Sequence, residues 1–430
     1  MSTNENKGKK AEVTALQAIS AEDRKDWISL AFVQAGICVC VPAFLLGALL
    51  AEAMPIWPAI ISGSLGYLIV VVGMVATGMI GCDLGLASCT CCQAGFGKSG
   101  ARFIVSTIFA VNMIGWFGIQ NGVCGEAFSN AMLAMTGWDI PVVVSNTIWG
   151  IIMLLTAVYG VHALEKLDKI SIPLLMIIMC YGIFLAFKVY GTGNLNDEGT
   201  VQSMSFMSGV ALSFNFTAVG TITGPDYTRF QKSRKDTVKS VFYGVFPMGV
   251  ITLIMGIVLT KLSGQYDISM VLIEVGLPLL GIIALVISTW TTNSTNAYSA
   301  GLNIVMALKL KDNRRREATL ISGIVGIVLC DLGILGHVEG VLSLLSYVVC
   351  PVGGVILADY WVVGKGKAKN FRPQDAPRYN PGPSAWALGA IISYTLVKIE
   401  FVGIIIGFVI YLIAEHFIPS ASRDNAENIA

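Results

Sequence analysis

The sequence predicts an all-α membrane protein with twelve transmembrane helices. Of its 430 residues, 55% are hydrophobic and only 13% are charged. An α-helix needs about 20 mainly apolar residues to cross the hydrocarbon core of a bilayer. Stretches of this kind follow one another along the whole chain. The twelve predicted spans are 27–51, 55–80, 101–131, 140–161, 169–190, 202–223, 237–262, 276–308, 317–335, 338–362, 383–399 and 400–418.

The basic residues give these helices an orientation. All 28 Lys and Arg residues except Lys188, Lys261 and Lys398 fall in the terminal tails, in every second gap between spans, or in the first three residues of the span that follows such a gap. Because cytoplasmic loops retain positive charge, both termini are expected in the cytoplasm, which requires an even number of helices. Residues 1–26 and 419–430 are then cytoplasmic tails. The polar N-terminus predicts no cleavable signal peptide, and the plasma membrane is the expected location.

Two of the spans carry residues that interrupt a helix. The first has Pro42 in the middle of its apolar run, and the sixth contains Gly220, Gly224 and Pro225. Proline removes a helical hydrogen bond, and an interrupted helix survives in lipid only where its freed backbone groups meet protein, water or a ligand. Either break alone is explained equally well by architecture.

The positions of the two breaks predict an internal repeat. Spans one and six correspond if residues 27–190 and 202–362 form two repeats of five helices. Since five is odd, the second repeat enters the membrane from the opposite side. In secondary transporters with such a five-plus-five inverted repeat, paired broken helices mark a substrate and ion site near the midplane. Residues 383–418 then supply two additional C-terminal helices.

Other classes of protein find little support in the sequence. It has no phosphate-binding loop and no catalytic nucleophile constellation, so it is not expected to be an enzyme. The like-charge rings and filter motifs of channels are also missing. Cys89, Cys91 and Cys92 match no zinc spacing and are interpreted as packing residues, with a redox or regulatory role as the alternative. The expected partners are lipid and a small molecule, without nucleic acid or an obligate protein partner.

Four segments carry a resemblance to a known family. They are 115–118 (Gly-Trp-Phe-Gly), 216–230, 290–293 (Trp-Thr-Thr-Asn) and 351–360 (Pro-Val-Gly-Gly-Val-Ile-Leu-Ala-Asp-Tyr). Together they resemble the nucleobase:cation symporter-1 family, and most closely its cytosine permeases. The resemblance covers nearly the whole chain in order and spacing. It implies the five-plus-five fold with two further helices, and sodium- or proton-coupled uptake of a nucleobase or related heterocycle.

The resemblance also implies a substrate site. Trp116 and Phe216 correspond to aromatic residues that sandwich the flat ring, and stacking of a base on an aromatic contributes about 1–3 kcal/mol. Gln120 lies four residues after Trp116, on the same helical face, where its amide can both donate and accept. Cytosine permeases instead have their ligand-reading glutamine three residues before the tryptophan, where this chain has Met113. Hydantoin-transporting relatives have it at the position of Gln120. Because the whole-chain resemblance is closest to cytosine permeases, cytosine is favoured, and hydantoins, purines and other heterocycles stay open.

Further polar residues complete the candidate site. Asn215 and the peptide groups through Ala218 match the broken-helix stretch that contacts the base edge in the family. Asn293 and Asn296 could add a polar contact, although interhelical hydrogen bonding explains them equally well. An amino-acid carrier of the same fold is the main rival, but it would need to hold a carboxylate and an ammonium.

A sodium site is the last expectation from the resemblance. In the family it uses two carbonyls of helix 1, one carbonyl of helix 8 and two hydroxyls of helix 8, and sodium, as a hard ion, prefers such oxygen ligands. Isolated threonines usually bond back to their own helix. Spans one, six and eight contain no titratable group at midplane depth, which favours sodium over a proton. The corresponding residues are Gly36, Val39, Ser288, Thr291 and Thr292.

Overall fold

In the computed structural model all twelve predicted spans are helical. The structure describes residues 18–159, 161–196, 202–371, 373–378 and 380–417. Most of the predicted N-terminal tail and all of the predicted C-terminal tail lie outside these residues. The helices are α1a (Trp27–Cys38), α1b (Val41–Ala53), α2 (Ile56–Leu84), α3 (Ser106–Thr136), α4 (Val142–Tyr159), α5 (Val161–Tyr190), α6a (Phe206–Thr217), α6b (Gly220–Thr228), α7 (Arg234–Ser263), α8 (Pro278–Leu308), α9 (Arg315–Asp331), α10 (Val338–Leu357), α11 (Gly382–Ile392) and α12 (Val402–Phe417).

The described helices differ in how well each one matches a bilayer. Seven are long and apolar enough to cross a membrane alone, and the bent pair α1a and α1b makes eight. Helix α8 is long but carries a run of hydroxyl and amide side chains between Ser288 and Asn296. Helices α9, α11 and α12 are short, and α11 is extended by the π-helical turn Ser393–Val397. Short helices at Ser88–Cys91 and Ile268–Glu274 lie in predicted gaps and were not expected from the sequence.

The first helix is broken where the sequence predicts. Helix α1a ends at Cys38, Val39 and Cys40 are not helical, and α1b begins at Val41 with a bend of 53°. Pro42 lies in the first turn of α1b. Proline is tolerated there because the first N–H groups of a helix have no partner inside the helix.

The sixth helix is interrupted more mildly than expected. Ala218 and Val219 keep right-handed helical dihedrals, and the ladder tightens, with the N–H of Thr221 donating to the carbonyl of Ala218 at 3.0 Å. Pro225 lies inside α6b rather than at the break. Its missing N–H leaves the carbonyl of Thr221 without a helical donor, and Thr77 Oγ1 on α2 donates to that carbonyl at 2.8 Å. A neighbouring hydroxyl thus lets the helix pass through the proline.

Further bonds fix α6b against the predicted cytoplasmic end of α2. Thr228 Oγ1 donates to the carbonyl of Gly78 at 2.7 Å. Asp226 Oδ1 accepts from the N–H of Ser88 at 2.9 Å, at the start of the short helix after α2. The half-helix is therefore held at Thr77 and Gly78 of α2 and at the start of the short helix that follows α2.

The helices pack in two groups that have the symmetry of the predicted repeat. In one group α1 packs on α7 and α2 packs on α6, and in the other α3 and α4 pack on α8 and α9. Exchanging each helix with the one five places later leaves these pairings unchanged. Glycines allow the closest approach, because a Cβ on Gly47 would lie 2.3 Å from the carbonyl oxygen of Leu253, and one on Gly256 2.3 Å from that of Phe44. The repeat bounds 27–190 and 202–362 stay a prediction.

Candidate functional site

The structure brings the two predicted stacking residues into contact. Trp116 on α3 and Phe216 on α6a are both buried, with ring centroids 5.9 Å apart and ring planes at 68°. A flat ring held between two faces requires those faces to be parallel and about 7 Å apart, two contact distances of about 3.5 Å. The rings here are in edge contact, so one of them must rotate before a base can lie between them.

Gln120 lies one helical turn from Trp116 and is buried, with 4% of its surface exposed. Its Oε1 atom has no hydrogen-bond partner among the described residues. A buried carbonyl oxygen without a donor costs about 1–3 kcal/mol, so this atom is a natural acceptor for a ligand N–H. Met113, one turn before Trp116, is partly buried and offers no comparable group.

Asn215 differs from the expectation because its amide already has a partner. Its Nδ2 atom donates to Glu400 Oε1 at 3.0 Å, while its Oδ1 atom is buried and has no partner in the described part of the chain. Glu400 lies in the turn between α11 and α12 and is itself buried. The sequence interpretation missed this residue, since it considered only spans one, six and eight. The signal in the sequence that could have identified Glu400 is its position as an acidic residue between the apolar Ile399 and Phe401.

The backbone of the α6 interruption is also occupied. The carbonyl of Ala218 accepts both the N–H and the hydroxyl of Thr221, at 3.0 and 2.7 Å. A base edge could use this carbonyl only by displacing one of those donors. The contribution of Ala218 to substrate binding stays a prediction.

The two asparagines of α8 take part in helix packing. Asn293 is fully buried, and its Nδ2 atom donates to the carbonyl of Phe117 on α3 at 3.1 Å. Asn296 Nδ2 approaches Asn293 Oδ1 at 3.4 Å. The bond of Asn293 to α3 matches the interhelical alternative that the sequence left open, whereas the contact of Asn296 lies within α8. A role for either residue in binding the substrate stays a prediction.

Three of the five predicted sodium ligands lie together on α8. The hydroxyls of Thr291 and Thr292 both donate to the carbonyl of Ser288, each at 3.0 Å. This is the back-bonding that threonines commonly make in helices. A hydroxyl oxygen also has two lone pairs, so both groups could turn their hydrogens away and share a cation with the carbonyl. The oxygen cluster therefore suits a hard cation once the hydroxyls rotate.

The remaining two predicted ligands lie at the break in α1. Gly36 is in the last turn of α1a, whose carbonyls have no following helical turn to supply donors, and Val39 is in the break itself. Val39 belongs to the same buried cluster as Ala284 and Leu285 of α8, which lie about one turn before Ser288. The break and the turn of α8 before Ser288 thus belong to one buried cluster, and a shared sodium site stays a prediction.

The cysteine group near α3 has the features of packing residues. Cys89, Cys91 and Cys92 are all buried, and the described residues contain no group of three His, Cys, Asp or Glu side chains that could hold a metal ion. Burial raises the pKa of the Cys89 thiol to about 12 and that of Cys91 further still. Because the thiolate is the reactive form, these thiols should be inert at neutral pH.

This inertness can be measured by maleimide labelling in native membranes. Cys89, Cys91 and Cys92 are expected to react only after denaturation in detergent, since the folded protein buries them and keeps them protonated. Asn313→Cys, at an exposed position in the loop between α8 and α9, provides the positive control. Mass spectrometry of the labelled peptides would identify the sites. Stoichiometric labelling of any of the three before denaturation would contradict the packing interpretation.

The broken first helix, the symmetric pairing of helices and the multi-pass architecture define a membrane transporter of the inverted-repeat class. A family model described as a permease for cytosine/purines, uracil, thiamine and allantoin matches residues 19–419. The chain belongs to this family, the nucleobase:cation symporter-1 family, which consists of permeases rather than enzymes.

Several characterised relatives are similar over most of the chain. The cytosine permease of Escherichia coli strain K12 is 30% identical over 341 residues, which cover 78% of each protein. The allantoin permease of Bacillus subtilis is 24% identical and covers 93% of this chain and 92% of its own. The hydantoin permease of Microbacterium maritypicum is 21% identical, covering 78% of this chain and 72% of its own.

Solved structures share the fold. One is Mhp1, a nucleobase-cation-symport-1 family transporter, in a closed conformation with bromovinylhydantoin bound. It superimposes on this chain with a TM-score of 0.78 and 18% identity, covering 94% of this chain and 95% of its own. The inward-facing conformation of Mhp1 gives a TM-score of 0.79, with 19% identity over 96% of each chain. The two values are too similar to assign this chain to either conformation.

Proposed function

We propose that this protein imports a nucleobase, with cytosine as the favoured substrate, by sodium-coupled symport across the plasma membrane. Both termini would lie in the cytoplasm, as the distribution of basic residues indicates. The observation that carries the proposal is the buried Gln120 Oε1 atom, which lies one helical turn from Trp116 and has no hydrogen-bond partner in the part of the chain that the structure describes. An aromatic face beside an unpaired carbonyl oxygen suits a flat ring with an N–H on its edge.

The chemistry of a base matches these groups. Stacking on Trp116 is expected to contribute about 1–3 kcal/mol. Stacking alone would accept different bases, because every base has a π-face. The Gln120 amide could accept from the amino group of cytosine and donate to its ring nitrogen. Alternating access would then follow from movement of the α1, α2, α6 and α7 group against the α3, α4, α8 and α9 group.

Sodium coupling supplies enough free energy. One charge moving down about 100 mV of membrane potential gives about 2.3 kcal/mol. A tenfold sodium gradient adds about 1.4 kcal/mol. Together these gradients could concentrate a neutral substrate roughly a few hundred-fold.

Hydantoins are the second candidate substrates, on a specific observation. This chain has Met113 before Trp116 and the unpartnered Gln120 after it, and its relatives include permeases named for allantoin and hydantoin. An imide edge presents one N–H between two carbonyls, which the same glutamine could serve by flipping its amide. Proton coupling is the alternative to sodium, and the buried Glu400 keeps it open.

A thermal-shift panel on the purified protein would test the substrate class. Nucleobases, hydantoin, allantoin, vitamins and amino acids would each be added with and without sodium. Cytosine is expected to raise the melting temperature most, and sodium should strengthen the effect because ligand and ion bind the same folded state. Stabilisation by amino acids but not by heterocycles would contradict the proposal.

Changes at Gln120 should alter selectivity. Gln120→Leu would leave ligand groups unpaired, and the affinity for cytosine is expected to fall roughly 5- to 150-fold, equivalent to about 1–3 kcal/mol. Gln120→Glu removes the amide donor, so it should weaken binding of acceptor-rich edges most, while the contact with the cytosine amino group is kept. Dissociation constants for cytosine and hydantoin in the parent and both variants would measure this. Indifference of both ligands to both changes would show that Gln120 only packs.

A further inference from the structure

Glu400 is a buried carboxylate supplied from outside the ten helices of the repeat. It lies in the turn between α11 and α12, with 6% of its surface exposed. Helix α12 has 16 residues, about 24 Å of helix, which is less than the roughly 30 Å of a hydrocarbon core. A turn between such short helices can lie below the membrane surface. Asn215, the partner of Glu400, is nine residues into α6a, or about 14 Å along it.

The turn is docked on α6a beside the substrate residues. Phe401 packs against Phe214 with ring centroids 5.6 Å apart. Glu400 Oε1 accepts from Asn215 Nδ2 at 3.0 Å and from the hydroxyl of Ser343 on α10. Among the described residues Glu400 has no ion pair, so hydrogen bonds alone compensate its burial. Asn215 thus lies between two residues with different contacts. Phe214, before it, contacts the α11–α12 turn, and Phe216, after it, contacts Trp116.

This contact determines which end of the Asn215 amide is free. An amide has one accepting oxygen and one donating nitrogen, and an ionised carboxylate can only accept. The nitrogen donates to Glu400 Oε1, which leaves Oδ1 as the unpaired end. Oδ1 is buried and has no partner in the described residues. Without Glu400 the amide could flip and present its nitrogen instead.

We propose that Glu400 is a positioning residue that fixes Asn215 as a hydrogen-bond acceptor and thereby favours bases with an amino group at that edge. This inference rests on the proposed function as a nucleobase transporter. A cytosine-type edge offers N–H donors to Oδ1, whereas a uracil-type edge would place a carbonyl oxygen against it. When two acceptors face each other, both stay without a hydrogen bond. Such unpaired buried groups discriminate between similar rings more strongly than differences in apolar contact do.

Glu400→Gln tests the inference, because a glutamine has nearly the same shape but can pair with either end of the Asn215 amide. Inhibition constants of unlabelled cytosine and uracil against labelled cytosine uptake give the selectivity ratio. We expect the preference for cytosine to fall about tenfold in Glu400→Gln, within the range that one unpaired buried group produces. Ser343→Ala is the matched control, since it removes the other donor to Glu400, and its ratio should stay at the parental value.

The outcomes separate the inference from the proposed function. If the parent takes up cytosine with preference over uracil and Glu400→Gln leaves that ratio unchanged, or lowers both affinities equally, the positioning role is wrong. A parent that binds uracil as well as cytosine would also overturn the positioning role, but it would leave nucleobase transport intact. A parent that binds neither base would contradict both the positioning role and nucleobase transport. Should Glu400→Gln fail to fold, Glu400→Asp, which withdraws the carboxylate from Asn215 by one methylene, is expected to lower the ratio in the same direction.

The coupling between the two residues gives a second measurement. Asn215→Leu removes the amide altogether and should lower the selectivity ratio by itself. Adding Glu400→Gln to Asn215→Leu is then expected to cause no further change, because the two side chains act through one hydrogen bond. Independent, additive effects on the ratio would contradict the proposal.

Discussion

Replacing Trp116 with Ala is expected to abolish saturable uptake while the protein still folds in the membrane. The change removes the aromatic face proposed to stack on the base, a loss of about 1–3 kcal/mol per stacked base. It also removes the neighbouring ring of Phe216, since the centroids of the two rings lie 5.9 Å apart. Concentration-dependent uptake of labelled substrate, together with the amount of folded protein in the membrane, would measure the effect.

Two variants make this result specific. Trp116→Phe keeps an aromatic face and should retain much of the uptake. Trp57→Ala changes a tryptophan at the start of α2 that is 69% exposed, and it should leave the substrate affinity unchanged. Near-parental affinity in Trp116→Ala would remove this residue from the site and the ring pair from the mechanism.

The second large effect is expected for the coupling ion. Thr292→Ala should raise the sodium concentration needed for half-maximal uptake by about tenfold or more, since it deletes one oxygen from a proposed shell of about five ligands. The hydroxyl of Thr292 lies 3.0 Å from the carbonyl of Ser288, so the change removes an oxygen from a cluster of three. Uptake measured over a sodium titration at constant pH and ionic strength would determine the shift.

Thr295 provides a matched control on the same helix. Its hydroxyl also bonds back, to the carbonyl of Thr291 at 3.1 Å, but its side chain is exposed. Thr295→Ala should therefore leave the sodium requirement unchanged, because a solvent- or lipid-facing hydroxyl contributes nothing to the proposed shell. Uptake that follows the proton gradient and ignores sodium in the parent would contradict sodium coupling altogether.

Glu400 bears on the choice between the two ions. The preference for sodium rested partly on the lack of a midplane carboxylate in spans one, six and eight. A buried carboxylate beside Asn215 is the kind of group that a proton-coupled carrier requires. The sodium titration is therefore the more informative experiment on the coupling ion, because it tests the proposed ligands of α8 independently of Glu400.

Much of the fold followed from local chemistry. The twelve apolar stretches predicted twelve helices because a backbone in lipid must pair its own polar groups, and the helix is the structure that does so within one segment. The break in α1 was predicted from Pro42, since a proline can begin a helix but not continue one without loss. The Trp-Thr-Thr-Asn segment likewise predicted hydroxyls within one turn of the Ser288 carbonyl, as the helical repeat requires.

Other features depended on neighbours that local sequence does not specify. Pro225 did not break α6 because Thr77, on another helix, donates to the carbonyl that the proline leaves free. Asn293 was a candidate ligand contact by sequence, and the structure gives it the carbonyl of Phe117 as a partner. In each case a polar side chain chooses among several possible partners, and the choice is made by helices distant in the chain.

The sequence by itself determined the membrane-spanning architecture, the family and the identity of the residues proposed to stack on a base and to hold an ion. Hydrophobic length, the distribution of charge and short motifs are local properties, and each can be assessed without knowing which helices meet. Only the tertiary structure decided that Trp116 and Phe216 are in edge contact, that the buried Gln120 Oε1 atom has no hydrogen-bond partner among the described residues, and that Glu400 reaches Asn215. These relations depend on how the α11–α12 turn and the interrupted helices pack, because burial and hydrogen bonding between distant segments exist only once the helices have assembled.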